Sequence, residues 1–165
     1  MNTQEYNSDN AQLYRETYHA AAIKLQEVES VPYVVWDNKT RKGVNMRAGK
    51  GYKLLVNGQD TGLYVHKSTV TPQGEHTIDK LWHVTAESGL CAVDFFHAPL
   101  TSRKKAIVMA YAFHAELCRV GVNERDSVTL SNKTKHKGML MLKKSSIYQG
   151  YRLITEPDYD PSLGY

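Results

Sequence analysis

Tyr52-Lys53-Leu54-Leu55-Val56-Asn57-Gly58-Gln59-Asp60-Thr61-Gly62-Leu63-Tyr64-Val65-His66-Lys67-Ser68-Thr69-Val70 is the stretch from which the fold is read. Two β-rich runs, Tyr52 to Val56 and Leu63 to Val70, flank a turn region built on Asn57-Gly58. Asn-Gly tolerates positive φ at both central positions, the geometry that matches a tight turn to the twist of paired strands. The stretch therefore predicts a β-hairpin, closed by the turn residues Thr71-Pro72-Gln73-Gly74. A second hairpin is predicted downstream, where Leu81-Trp82-His83-Val84-Thr85 and Leu90-Cys91-Ala92-Val93 flank Glu87-Ser88-Gly89. Successive hairpins make an antiparallel sheet.

Upstream of the hairpin, Tyr33-Val34-Val35-Trp36 is β-rich and follows Pro32. The segment Lys39 to Lys53 carries Lys39, Arg41, Lys42, Arg47, Lys50 and Lys53 with no carboxylate, and its glycines predict a loop or irregular ribbon. Further out the period becomes helical. Leu13, Tyr14, Tyr18, Ala21, Leu25 and Val28 form one apolar face of a helix capped near Ser8 or Asp9 and running to about Glu29. Thr101 or Ser102 caps a second helix that continues to about Arg119, with Gly121 as its stop. Arg103, Lys104 and Lys105 crowd its first turn, against the helix dipole. Beyond it, Ser127–Ser131, Met139–Leu142 and Ile147–Ile154 are predicted strands, with a basic turn at 132–138. The expected fold is α+β over 1–155, an antiparallel sheet of hairpins packed against two main helices at about 9–29 and 101–119. Residues 156–165 carry Glu156, Asp158 and Asp160 and no cation, and are expected to form an acidic, flexible tail.

At 165 residues the chain can bury a core without disulfides or metal, and Cys91 and Cys118 make no disulfide framework. It starts without the pattern of a signal peptide and has no apolar run near the ~18 residues of a membrane span, so a cytoplasmic location and no membrane partner are expected. Net charge is +4, which suits a polyanionic partner. The eleven tyrosines outnumber the three Phe and two Trp together, which favours rings with one wet edge.

Cations follow a phosphate backbone, and aromatic faces stack on unpaired bases of any identity. The leading functional expectation is accordingly non-enzymatic, sequence-tolerant binding of single-stranded DNA, with RNA as the alternative strand. Lys39, Arg41, Lys42, Arg47, Lys50 and Lys53 would neutralise phosphates, Lys133, Lys135 and Lys137 would extend the track, and Trp36, Tyr52 and Tyr64 would stack. Tyr148 and Tyr151 are expected on the same sheet face. No helix-turn-helix, zinc-finger, basic-zipper or RNP pattern is present. The small Ala20-Ala21-Ala22 patch would permit the close helix approach of a homo-oligomer.

Two other classes compete. His66-Lys67-Ser68 and His83-Val84-Thr85 echo the paired His-x-Ser/Thr signatures of 2H phosphoesterases, in which two imidazoles act as acid and base. They stand only seventeen residues apart, closer than that family's half-repeats would place them. A protein-binding inhibitor, its basic stretch meeting an acidic surface, is the third reading. Cys91, His97, His114 and Cys118 do not follow a zinc spacing, and no metal or cofactor is expected. Walker, dinucleotide and Gly-x-Ser-x-Gly motifs are absent.

In size, in the basic Gly/Tyr stretch Lys39–Tyr64, in the second basic stretch Lys133–Lys144 and in the acidic tail, the chain resembles the single-stranded DNA-binding RNA polymerase cofactors of N4-like bacteriophages. The resemblance implies binding to exposed strands and contact with a phage RNA polymerase. It anchors no individual residue, and none is transferred. The tail is also similar in character to the acidic, aliphatic-ended tails of single-stranded DNA-binding proteins, which compete for their own groove or recruit partners.

Overall fold

A computed structural model of the chain describes residues 3–87, 99–120, 144–156 and 158–159. In chain order the elements are α1 (Thr3–Ala20), β1 (Ile23–Val28), β2 (Val31–Asp37), β3 (Lys42–Ala48), β4 (Gly51–Val56), β5 (Gln59–Val70), β6 (His76–Ala86), α2 (Arg103–Val120) and α3 (Lys144–Thr155). The fold is α+β. One antiparallel sheet has the order β1-β4-β5-β6, and β2 and β3 form a separate two-stranded ribbon.

The Asn57-Gly58 turn forms as its residues require, with φ of 53° and 78°, and it joins the flanking pair Val56↔Gln59. Its side chain does a second job: Asn57 Oδ1 accepts from the Ala22 amide at 2.9 Å, and the Asn57 amide donates to the Ala22 carbonyl at 2.8 Å. Those bonds hold the start of β1 against β4. The second strand begins at Gln59, earlier than Leu63, because Thr61-Gly62-Leu63 is taken up in a bulge opposite Leu54. Gly62 makes the bend at φ 76°, and the Thr61 hydroxyl donates to the Leu54 carbonyl at 2.8 Å.

Three sequence expectations are corrected. The first helix ends at Ala20, and Ile23–Val28 is an edge strand rather than a helical continuation to Glu29. Half-buried Ile23 and Leu25 alternate with exposed Lys24 and Gln26, the period of a one-sided strand. The basic stretch is a regular strand, β3, over Lys42–Ala48, paired with β2 from Val31↔Ala48 to Asp37↔Lys42. Residues 144–155 are helical, not a strand: Ile147, Tyr151 and Ile154 recur at four and three, and the first two are buried. The predicted strands at 90–93, 127–131 and 139–142 lie outside the described residues, as do Gly121 and most of the tail.

The helices cover one face of the sheet and the ribbon the other. On the helix side, Leu54, Val65 and Val84 pack with Met109, Phe113 and Ile147. On the ribbon side, Val31 and Ala48 pack with Tyr64 and Val70. Ser102 is the N-cap of α2, its hydroxyl accepting from the Lys105 amide at 3.2 Å. Among the described residues, no helix is long and apolar enough to cross a membrane.

Candidate nucleic-acid interface

The residues that could act on a ligand gather where β5 and β6 part company. Between the pairs His66↔His83 and Ser68↔Ile78, Lys67 alone faces Asp79, Lys80, Leu81 and Trp82. This wide bulge opens the ladder beside the β3–β4 turn, Gly49-Lys50-Gly51. The result is a cleft of about 620 Å³, within the range of about 300–1,000 Å³ typical of small-molecule sites.

Its walls are cationic and aromatic. Tyr52 on β4 and Trp82 on β6 converge over the intervening strand, with ring centroids 6.4 Å apart and planes tilted by 33°. The Lys67 ammonium lies 6.0 Å from the Trp82 ring centroid, and the Arg103 guanidinium, from the first turn of α2 and outside the lining itself, lies 5.6 Å from that of Tyr52. Lys50 and His76 add further cationic or titratable groups, and Glu27 is the one acid in the lining. Trp82 is held in place by its backbone amide, which donates to the Leu100 carbonyl at 2.8 Å. Ile78 stands at the rim with 80% of its surface exposed.

On the ribbon side of the same strands lie the two histidines. His66 and His83 form a cross-strand pair, their rings stacked at 5.7 Å and 23°, and Tyr33 from the ribbon meets both edge-on at 5.9 and 6.3 Å. His66 is fully buried. Its Nδ1 lies 2.7 Å from the Ser68 carbonyl and must be the N–H donor there, leaving Nε2 to accept from the Thr85 hydroxyl at 3.2 Å. Burial, with a smaller push from His83, lowers its pKa to about 4. His83 bonds Asp79 at 3.0 Å, which draws the Asp79 carboxyl below its usual range. The structure thus brings together the two His-x-Ser/Thr segments, but as a packed stack in which both nitrogens of His66 are used internally. This geometry holds the ribbon to the sheet.

The residues predicted from sequence are distributed over several surfaces. Lys50 and Tyr52 are in the cleft. Lys39, Arg41 and Lys42 are exposed at the far end of the ribbon, where Trp36 shows 60% of its surface. Arg47 is exposed and donates to the Ser30 hydroxyl and carbonyl at 3.1 and 3.0 Å. Lys53 is ion-paired with Asp60 at 3.0 Å and lies 5.6 Å from the Tyr64 ring centroid. Tyr64 itself is 5% exposed, with its hydroxyl donating to Glu87 at 2.8 Å, so it offers no free face for a base. Tyr52 and Tyr64 pack on opposite faces of the sheet. Tyr148 and Tyr151 stack on each other on α3 at 6.4 Å, with Tyr151 buried in the helix-side core and Tyr148 exposed. Lys133, Lys135 and Lys137 lie outside the described residues.

Lys67 and Trp82 are the cleft residues that sequence reasoning passed over as ordinary strand positions. Nothing in their spacing to Tyr52 announces the contact, because a multi-residue bulge creates it. Arg103 did carry a signal, a cation at the wrong end of a helix dipole. Of the metal candidates, His114 and Cys118 approach to 3.6 Å on α2, while Cys91 and His97 lie outside the described residues. Among the described residues, no group of three or more His, Cys, Asp or Glu side chains is placed to hold a metal ion. Compared with known proteins, the chain matches no protein-family profile, no curated protein and no solved structure.

Proposed function

We propose that the protein binds single-stranded nucleic acid, with DNA as the first candidate, through the cleft at the β5–β6 bulge. The observation that carries this reading is the convergence of Tyr52 and Trp82 beside Lys50, Lys67 and Arg103. Aromatic faces next to cations serve an unpaired strand, whose bases are free to stack and whose phosphates need neutralising. A duplex hides its base faces, so the same arrangement favours a single strand over a double one. The exposed Lys39, Arg41 and Lys42, with Trp36, supply a second contact region at the ribbon tip. An RNA polymerase partner rests on the sequence resemblance alone.

The test is a fluorescence-anisotropy titration of the full chain with single-stranded DNA, duplex DNA and RNA at two salt concentrations. Single strands should bind more tightly than the duplex. Affinity should fall steeply with salt, with a log–log slope of about −0.7 for each phosphate neutralised. Trp82→Ala should weaken binding by roughly 1–3 kcal/mol, the usual worth of one stacked base. A salt-independent affinity, or an unaffected Trp82→Ala protein, would end the proposal.

A further inference from the structure

The cleft has a feature that sequence-tolerant phosphate binding does not call for. Its single carboxylate, Glu27, projects from edge strand β1 opposite Tyr52 in the ladder, within a lining otherwise supplied with Lys50, Lys67 and His76. An acid in a phosphate track weakens it by like-charge repulsion. The same carboxylate is useful against a base edge, where it accepts from an exocyclic amine. Among the described residues, no hydrogen bond or ion pair engages the Glu27 side chain, so its acceptors are not already spent within the fold. The cleft volume of about 620 Å³ accommodates a nucleotide rather than a longer segment of strand.

We infer that the cleft takes one unpaired nucleotide whose base carries the 4-amino group of cytosine or the 6-amino group of adenine. The base stacks on Trp82 and Tyr52, Glu27 accepts from the amine of cytosine or adenine, and the phosphate lies with Lys50 and Lys67. Thymine and uracil present a carbonyl where cytosine presents the amine, so they meet the carboxylate acceptor to acceptor. This inference rests on the single-strand reading above and adds base preference to it. The protein would be tolerant along most of a bound strand and selective at one position.

The experiment uses the full chain in a Trp36→Phe background, so that Trp82 is the sole indole reporter. Cytidine, adenosine, uridine and thymidine monophosphates are titrated at low salt, following indole quenching. Cytidine and adenosine monophosphates should quench saturably and bind about tenfold more tightly than the other two, a typical value for one well-made base contact. Glu27→Gln is nearly isosteric at an exposed position and gives an amide that can serve both edges, so it should erase the preference while the thermal melt stays unchanged. Equal binding of all four nucleotides, or a preference that survives Glu27→Gln, overturns the inference. A parallel titration with single-stranded oligonucleotides, with and without an abasic position, separates the two levels. If intact and abasic strands bind alike, the base site is lost and the single-strand reading stands. If no oligonucleotide binds at low salt, both fall.

Discussion

His66 shows how one side chain can tie stability to pH. It is neutral, fully buried and bonded through both nitrogens, and its pKa sits near 4. The unfolded chain takes up that proton near the ordinary value of about 6.5, whereas the folded state refuses it until about 4. Stability is therefore full above about 6.5 and falls as pH drops through that window, by about 3 kcal/mol in all. Urea melts between pH 7.5 and 4 should show this slope, and His66→Leu, whatever its cost at neutral pH, should flatten it. His114, whose pKa burial also lowers, leaves a smaller slope of the same sign. Gly51 makes a second residue-level prediction. A Cβ there would stand 2.7 Å from both His66 Cβ and Val31 Cγ1, so Gly51→Ala forces the ribbon away from the sheet. A loss of about 1–3 kcal/mol in chemical unfolding is expected, the usual penalty of overpacking.

At the scale of elements, the N-terminus of α2 would set stability against the proposed binding. Its first turn has no acid and carries Arg103, Lys104 and Lys105 where the dipole favours negative charge. The Arg103 guanidinium lies over the Tyr52 ring, where the proposed binding would give the misplaced charge a use. Lys104→Glu should raise stability by about 0.3–1 kcal/mol in thermal melts. It should also weaken single-strand binding and reduce its salt slope. A variant that gained stability with unchanged affinity would remove Lys104 from the interface. The ribbon is the other telling element. Its inner end is pinned by Val31, Ala48 and Tyr33, while its outer end projects Trp36 and three cations into solvent.

The whole molecule is tied together on the helix side by one buried polar junction. The Tyr14 hydroxyl of α1 donates to Glu116 of α2, Arg119 binds the same carboxylate, and α3 packs Gly150 against the Tyr14 ring. Burial and the carboxylate both push the Tyr14 pKa up, so it remains a donor. Tyr14→Phe removes that donor while Glu116 stays fully buried, and should cost about 1–3 kcal/mol in equilibrium unfolding. An unchanged midpoint would mean that α1 is held by apolar packing alone.

Local chemistry determined more of the fold than of the site. Asn57-Gly58 specifies its turn because few residues accept two positive φ values in succession, and Ser102 specifies a helix start because its hydroxyl replaces a missing backbone partner. The α+β class follows from such punctuation. The boundary after Ala20 was not legible, since Ala21, Leu25 and Val28 satisfy a helical period while Ile23 and Leu25 satisfy a strand period, and only pairing with β4 chooses between them. Ile147–Ile154 was ambiguous for the same reason. The site belongs to tertiary structure. Charge and ring content announced a surface suited to a polyanion, but composition carries no face. The two bulges along β5 decide which side chains end up as neighbours: one seats Tyr64 beneath the ribbon, and the other carries Trp82 across β5 to Tyr52. A change of register by a residue reverses the face a strand side chain occupies, and that register is set by contacts between segments distant in the chain.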